Sequence, residues 1–204
     1  MIHQAMRLAG AILVAAVVAC GGDKRGGTSD TGIGTGTGTG MPTIEAVPGM
    51  GGSMNDSNVV AAMVASNAAE IQAGQLAADS GSNARVKEFG RLMVTDHRAM
   101  NEQVHQAAQQ ANVVSRAGDE AEDIGDDGRE MMEELRGKRG AEFDREYMDE
   151  MVDSHEEALE MLDRAARDTA RAAPIREAVT QSRQKVQQHL DQARRLQQQL
   201  KQGS

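Results

Sequence analysis

The sequence predicts an all-α protein built on a bundle of four long helices. Good helix formers, chiefly Ala, Met, Leu, Gln, Glu and Arg, dominate the chain from residue 57 onward. The 204 residues include only three aromatic side chains, and no stretch rich in Val, Ile, Tyr and Thr predicts a strand. Four stretches place apolar residues at alternating spacings of four and three, which is the seam of a helix packed against other helices.

The N-terminal residues predict an export signal. Residues 8–18 are apolar but too few to span a bilayer, which takes ~20 residues in a helix. They lead into the sequence VVAC at 17–20, which resembles the lipobox of bacterial lipoproteins. The resemblance implies a signal peptide at 1–19, cleavage before Cys20, acylation of Cys20 and export from the cytoplasm. An ordinary signal peptide followed by an unmodified cysteine is the alternative.

A flexible tether is predicted at 20–56, before a helical domain at 57–204. Residues 21–56 are mostly Gly, Thr, Ser and Met, a composition that cannot bury enough apolar surface to fold. Such a chain has a typical reach of ~30–36 Å. Several acyl chains on Cys20 would hold the protein to the membrane stably. Gly21 rather than Asp follows the cysteine, which in such lipoproteins usually goes with the outer membrane.

The first two helices are predicted to form an antiparallel pair. Helix 1 covers about 56–78, and either Asp56 or Ser57 can cap its N-terminus. A short turn at 80–83 leads to helix 2, predicted over about 84–112. Two long helices joined by so short a link must be antiparallel neighbours.

The connection at 113–140 breaks the seam pattern. Its acidic, Gly-containing run at 118–128 predicts a solvated loop, because a calcium loop needs an ordered ligand spacing and a closing Glu that the run lacks. A short helix is predicted at 129–136. The 28 residues can run back along helix 2, so helix 3 is predicted to be parallel to it, as in ferritin-like bundles with one long crossover. Plain up-down wiring is the alternative.

Two more helices complete the predicted bundle. Helix 3 covers about 142–170, and its seam includes His155. A break at 172–174 precedes helix 4, and Pro174 suits the first turn of that helix. The seam of helix 4 includes His189.

On each of the four helices one seam position carries an imidazole or a carboxylate: Glu70, His97, His155 and His189. The histidines lie ~13–15 residues from the starts of their helices and therefore near mid-height, with Glu70 roughly one turn lower. Three imidazoles and a carboxylate form a ligand set for Zn, Fe, Cu or Mn, and a buried carboxylate is costly unless a cation offsets it. We predict one transition-metal ion here, with Zn, Fe or Cu as the candidates. The alternative is a set of core polar groups bonded to each other or to water.

A neighbouring acidic residue and one short motif also bear on the kind of metal site that the sequence predicts. Asp96 is about 100° round the helix from His97, which favours an exposed position, although Asp96 could also orient a ligand. Glu102-Gln-Val-His105 matches the Glu-x-x-His motif of di-iron proteins, but only once and off the seam, whereas a dinuclear site needs two such motifs and more carboxylates. The sequence therefore indicates neither ferroxidase nor other oxidoreductase activity, and it predicts no catalytic residue.

Three motifs carry a resemblance to a known family: AEIQAGQLA at 69–77, VKEF to MVTDH across 86–97, and FDREYMDEMVDSH at 143–155. They resemble the bacterial ferritin-like domain of unknown function 4142 (DUF4142). The resemblance spans most of the predicted helical domain and implies a secreted or envelope-anchored four-helix bundle. The matching positions are Glu70, Asp96, His97, Tyr147 and His155. On this basis we predict that Asp96 and Tyr147 are outer partners of the metal ligands.

The charge and composition of the chain argue against one class of function. The net charge of −9, the lack of a basic patch and the scarcity of aromatic rings argue against nucleic-acid binding. The prediction is an envelope lipoprotein, anchored in the outer membrane and facing the periplasm, that binds a metal for storage, sensing or protection. The alternative is a structural or stress-related interaction module whose core histidines are merely hydrogen-bonded. Membrane contact is predicted through the lipid on Cys20, and the sequence does not identify a protein partner.

Overall fold

A computed structural model describes residues 55–202, and this part of the chain is helical without a β-strand. The helices are α1 (Asp56–Ser80), α2 (Ala84–Gln110), α3 (Asp119–Gly137), α4 (Gly140–Arg164) and α5 (Ala173–Gln202), with a π-helical turn at Ala165–Thr169. The all-α prediction is confirmed. The predicted signal peptide, Cys20 and the tether up to residue 54 lie outside the described residues. None of the described helices combines the length and the apolar character that crossing a bilayer requires.

The cap of α1 lies one residue before the predicted position. The side chain of Asn55 accepts a hydrogen bond from the backbone N–H of Asn58 at 3.1 Å, and the side chain of Asn58 accepts one from the backbone N–H of Asn55 at 3.4 Å. This reciprocal pair satisfies donors that the helix itself cannot pair. Asp56 instead accepts from the backbone N–H groups of Arg171 and Ala172 at 2.8 and 3.0 Å, which ties α1 to the segment before α5.

The connection after α2 contains a longer helix than predicted. The solvated loop expected at 118–128 is wrong, because α3 runs without a break over Asp119–Gly137. Three acidic residues in its first turn interact favourably with the positive end of the helix dipole. The helix also packs against α1 so closely that a Cβ added at Gly128 would lie 2.9 Å from the Cβ of Ala69. Glycine therefore serves a close approach of two helices here rather than a loop.

Contacts at the helix ends fix the direction of α4. Near the start of α4, Asp144 accepts hydrogen bonds from the backbone N–H groups of Ser82 and Asn83, both at 2.8 Å, in the turn before α2. Beyond the end of α4, residues 171–172 donate to Asp56 at the start of α1. The N-termini of α2 and α4 thus lie at one end of the molecule, and the two helices run in parallel.

The pair α1 and α2 meets in backbone contact. A Cβ added at Gly74 would lie 2.7 Å from the carbonyl oxygen of Gly90, and a Cβ added at Gly90 would lie 2.6 Å from that of Gly74. No larger residue fits this crossing without moving the helices apart. The two glycines thus set the spacing between the helices that carry Glu70 and His97.

A polar layer divides the apolar core into two clusters. On one side of the layer the core includes Val60, Met63, Met100, Val104, Leu162 and Val186. On the other side it includes Ala73, Phe89, Met93, Tyr147, Met148 and Leu196. Along α1, α2, α4 and α5, buried polar side chains separate the residues of one cluster from those of the other. The polar layer consists of Asn67, Glu70, His97, His155 and His189, all at least nine-tenths buried.

Candidate metal centre

Three histidines meet within the polar layer. His97 of α2, His155 of α4 and His189 of α5 are only 1–2% exposed, and their ring centroids lie 5.2–5.7 Å apart. One ligand nitrogen from each ring lies within 4.8 Å of the other two. Nitrogens that share a zinc ion at ~2.0–2.1 Å in a tetrahedral site lie ~3.4 Å from each other, so small ring rotations would bring this trio into range.

Two of the rings are held from outside by hydrogen-bond acceptors. Nδ1 of His97 lies 2.9 Å from Oδ1 of Asn67, whose Nδ2 donates to Oδ1 of Asn101 at 2.9 Å. Nε2 of His189 lies 2.8 Å from Oδ2 of Asp96. An acceptor at one ring nitrogen favours the tautomer with the proton on that nitrogen. The lone pair is then on Nε2 of His97 and on Nδ1 of His189.

Glu70 and Ser154 contact the third ring. Ser154 Oγ donates to Oε1 of Glu70 at 2.7 Å and lies 3.4 Å from Nδ1 of His155. Oε1 of Glu70 lies 3.6 Å from the same nitrogen. The sequence predicts Glu70 as a fourth ligand, whereas the structure places its carboxylate beside Nδ1 of His155 and outside the cluster of three ligand nitrogens.

Unpaired atoms mark the centre of the layer. In the described part of the chain, five buried side-chain atoms have no hydrogen-bond partner: Nε2 of His97, Nε2 of His155, Nδ1 of His189, Oε2 of Glu70 and the hydroxyl of Tyr147. Buried polar atoms are nearly always paired, so each exception calls for an explanation. The three nitrogens are those left free when the opposite nitrogen of each ring faces an outer partner. One cation bound between them would pair all three.

Burial keeps two of these imidazoles neutral. Burial lowers the pKa of His97 well below its usual value, and the nearby His155 and His189 lower it further. Burial also lowers the pKa of His189 to about 4, although the hydrogen bond to Asp96 acts in the opposite direction. Metal ions bind the neutral form of imidazole. At pH 7 these two side chains are therefore ready to act as ligands.

From the sequence, Asp96 could be either an exposed residue or a residue that orients a metal ligand, and the structure gives it features of both. Its side chain is 20% exposed, and Oδ2 contacts both Nε2 of His189 at 2.8 Å and Nζ of Lys185 at 3.3 Å. Burial raises the pKa of Asp96, but the hydrogen bonds from His189 and Lys185 outweigh that effect and lower it. Asp96 is thus a charged partner of a ring in the trio that also reaches the surface.

Tyr147 lies about two helical turns before His155 on α4. Its ring is stacked against Phe143 with centroids 6.2 Å apart, and it meets Phe89 edge-on at 6.3 Å. Burial raises the pKa of Tyr147 well above its usual value, and the charge of Glu70 raises it further. The structure therefore places Tyr147 in the apolar cluster beside the layer, electrostatically coupled to Glu70.

The sequence did not predict Asn67, Ser154 or Lys185, each of which touches the trio or one of its partners. Asn67 shares the helix 1 seam with Glu70, and a polar residue at that position was a usable signal. The sequence contains no such signal for Ser154 or Lys185, because a contact between side chains of different helices does not change the residue spacing within one helix. The isolated Glu-x-x-His motif lies apart from the centre, since Glu102 and His105 are both exposed.

The model of a protein family, described as a domain of unknown function (DUF4142), matches residues 42–196, well over half of the chain. The chain belongs to the DUF4142 family. The predicted resemblance to DUF4142 is thus confirmed, and the match covers the whole polar layer of this DUF4142 chain. No curated protein matches the chain in sequence.

In structure the chain is similar to a candidate secreted protein of the DUF305 class from Streptomyces coelicolor, known from a crystal structure. The TM-score is 0.58, the sequence identity is 9%, and the match covers 69% of this chain and 90% of that chain. At this level of identity the similarity concerns the fold alone.

Proposed function

We propose that this chain binds one transition-metal ion through Nε2 of His97, Nε2 of His155 and Nδ1 of His189. Two observations carry the proposal: one nitrogen from each of three buried imidazoles lies within 4.8 Å of the other two, and each of the three rings has one nitrogen without a hydrogen-bond partner. Each ring also turns its other nitrogen towards an outer polar group. Metal-binding histidines in proteins are commonly held in this way, because the outer contact fixes both the tautomer and the ring orientation.

The ligand chemistry favours zinc, copper or iron. Neutral imidazoles suit these ions, and three protein ligands leave a coordination position for water or a small ligand. Glu70 supplies negative charge beside His155, which offsets part of the cation's charge. The two carboxylates that contact the trio, Glu70 and Asp96, are too few for a dinuclear centre of the ferritin type, which uses several Glu residues. A mononuclear site with a storage, sensing or protective role fits this ligand set.

The wider setting of the proposal is a ferritin-like bundle tethered to the bacterial envelope. The parallel directions of α2 and α4, with α3 between them in the chain, support one-long-crossover wiring of α1, α2, α4 and α5. The lipobox-like sequence ending at Cys20 supports a lipid anchor, with residues 20–56 as the tether. The fold similarity to a candidate secreted protein agrees with export. In this setting the bundle would bind its ion outside the cytoplasm.

Elemental analysis of the full chain, purified without a His tag, tests the proposal. The protein is equilibrated with Zn, Fe or Cu salts and dialysed before measurement. We expect about one ion per chain in the wild type and none in the triple variant His97→Ala, His155→Ala, His189→Ala. His105→Ala is the matched control, because it removes an exposed histidine from α2, and it should keep the full metal content.

Circular dichroism of each variant separates loss of the site from loss of the fold. A wild type that takes up no ion from any of the three salts would overturn the proposal. The interaction-module alternative would then become the better explanation. Equal metal content in the wild type and in a folded triple variant would also overturn it, because the ion would then bind elsewhere.

A further inference from the structure

Asp96 links the histidine trio to the protein surface. The side chain of His189 is 3% exposed, that of Asp96 is 20% exposed, and that of Lys185 is 41% exposed. The three side chains are in contact in that order, from the core outward. Lys185 precedes His189 by one turn on α5, so the two side chains share a helix face that meets α2 at Asp96.

The other outer partners of the trio differ from Asp96 in exposure or in charge. Asn67, which contacts His97, is 3% exposed and uncharged. Glu70 is charged but its side chain is only 5% exposed. Ser154 is half-buried and neutral. Among the described residues that touch the trio, Asp96 is thus the one that combines a negative charge with access to solvent.

We propose that the contact between α2 and α5 at Asp96 is the route by which a metal cation reaches and leaves the trio. Asp96 is the carboxylate that first captures the cation, and Lys185 obstructs the route. This inference rests on the proposed metal-binding function. It adds a surface residue, Lys185, that sets the rate of metal exchange without being a ligand.

The electrostatics of this route explain the roles of the two residues. A carboxylate attracts a divalent cation, whereas the ammonium group of Lys185, 3.3 Å from Oδ2 of Asp96, repels it. Neither contact of Asp96 uses Oδ1, which leaves that oxygen for an arriving cation. His189 contacts Asp96 through Nε2, and its ring centroid lies 5.2 and 5.5 Å from those of the other two rings, so this ring must rotate as the cation passes. Lys185 must also move away from Asp96.

Stopped-flow kinetics of Zn²⁺ transfer test the route. The metal-free full chain is mixed with Zn²⁺ and uptake is followed by competition with a chromophoric zinc chelator; release is followed with excess chelator. Lys185→Gln should raise the association rate constant about 3–10-fold at low ionic strength, and Lys185→Glu should raise it further. The dissociation rate constant should also rise, since the obstruction acts in both directions. High salt should reduce the difference between the variants, because it screens exposed charges.

Lys201→Gln is the matched control. Lys201 also lies on α5 and pairs with an aspartate of α4, Asp149, at 3.4 Å, but it is about three turns from His189, the member of the trio on this helix. Its removal should leave both rate constants at the wild-type values. Equal rate constants for wild type, Lys185→Gln and Lys201→Gln would overturn the route while leaving the metal site intact. A wild type that binds no Zn²⁺ would instead remove the proposed function, and the route with it.

Discussion

Helix α4 buries two polar residues, Asp144 and His155, about three turns apart and in opposite circumstances. Asp144 is fully paired. Its Oδ1 accepts from the backbone N–H of Ser82, and its Oδ2 accepts from the backbone N–H of Asn83 and from the hydroxyl of Ser82. His155 has only long contacts at Nδ1 and no partner at Nε2. The two residues are almost equally buried, so burial alone does not explain why one is fully hydrogen-bonded and the other is not.

The difference shows how to tell a structural polar residue from a candidate ligand. Asp144 joins the start of α4 to the turn between α1 and α2, and its negative charge suits the N-terminus of α2. Both carboxylate oxygens of Asp144 are therefore buried and hydrogen-bonded within the chain. At the trio, folding has left lone pairs without partners, which costs stability unless something outside the chain binds them. The first arrangement serves the fold, and the second is the one for which we propose a metal ligand.

The largest expected effect is at the paired residue. Asp144→Ala leaves two backbone N–H groups and one hydroxyl without their acceptor, so we expect the free energy of unfolding to fall by about 3–5 kcal/mol. Urea denaturation followed by circular dichroism measures it. Asp79→Ala, which removes an exposed aspartate near the same end of α1, should change the free energy by less than about 0.5 kcal/mol.

Metal content is the second readout for Asp144→Ala. Because Asp144 lies about three turns from the trio, the folded fraction of the variant should bind as much metal as the wild type. Loss of metal from a folded Asp144→Ala protein would show that the two regions are coupled. A loss of stability below about 1 kcal/mol would mean that water replaces the carboxylate at this turn.

The convergence of the trio could be foreseen because it follows from periodicity. A histidine that replaces an apolar residue on a 4–3 seam must point where the seam points, and His97, His155 and His189 do so near the same height. The same reasoning could not identify Asp144, since nothing in the spacing of α4 shows that the turn at 82–83 lies opposite. Pairing between helices is a property of the assembled structure.

The error in the prediction at 118–128 has a similar cause. This run has the glycine and acidic content of a loop, but Gly128 provides space for Ala69 on α1, which only the packed structure shows. Glu70 stays a predicted ligand: its Oε1 accepts a hydrogen bond from Ser154, and its Oε2 has no hydrogen-bond partner within the described residues. A seam position gives the direction of a side chain but not how far it reaches.

A second prediction tests whether the trio costs stability as the pH falls. The pKa of His189 is lowered to about 4 in the folded chain, against an ordinary 6.5, so the unfolded chain binds the extra proton first. The contribution of His189 to stability is thus complete above pH 6.5 and is lost as the pH falls towards 4. In the metal-free protein we expect this loss to reach about 3 kcal/mol.

Groups other than His189 also change the free energy of unfolding over this pH range, so the effect of His189 is measured as a difference between two proteins. Burial raises the pKa of Glu150 to about 7, and a raised carboxyl pKa gives the opposite slope over part of the same range. The measurement is therefore the free energy of unfolding of wild type minus that of His189→Gln, at intervals between pH 7 and pH 4. A difference that stays constant across this range would show that His189 titrates normally. His105→Ala should reproduce the wild-type profile.

The smallest expected change is the sharpest test of the comparison. His155→Leu replaces a ring that has only contacts of 3.4 and 3.6 Å at Nδ1 and an unpaired Nε2, so the metal-free chain should change in stability by less than about 1 kcal/mol. The wild type should gain about 2.7 kcal/mol when metal is present at 100 times its Kd, and the variant should gain nothing. Thermal or urea unfolding with and without metal measures both quantities. If the free energy of unfolding of the metal-free variant falls by several kcal/mol, His155 is a residue that the fold needs, as Asp144 is. A neutral substitution that abolishes the metal-dependent gain would instead show that this part of α4 is kept for a ligand.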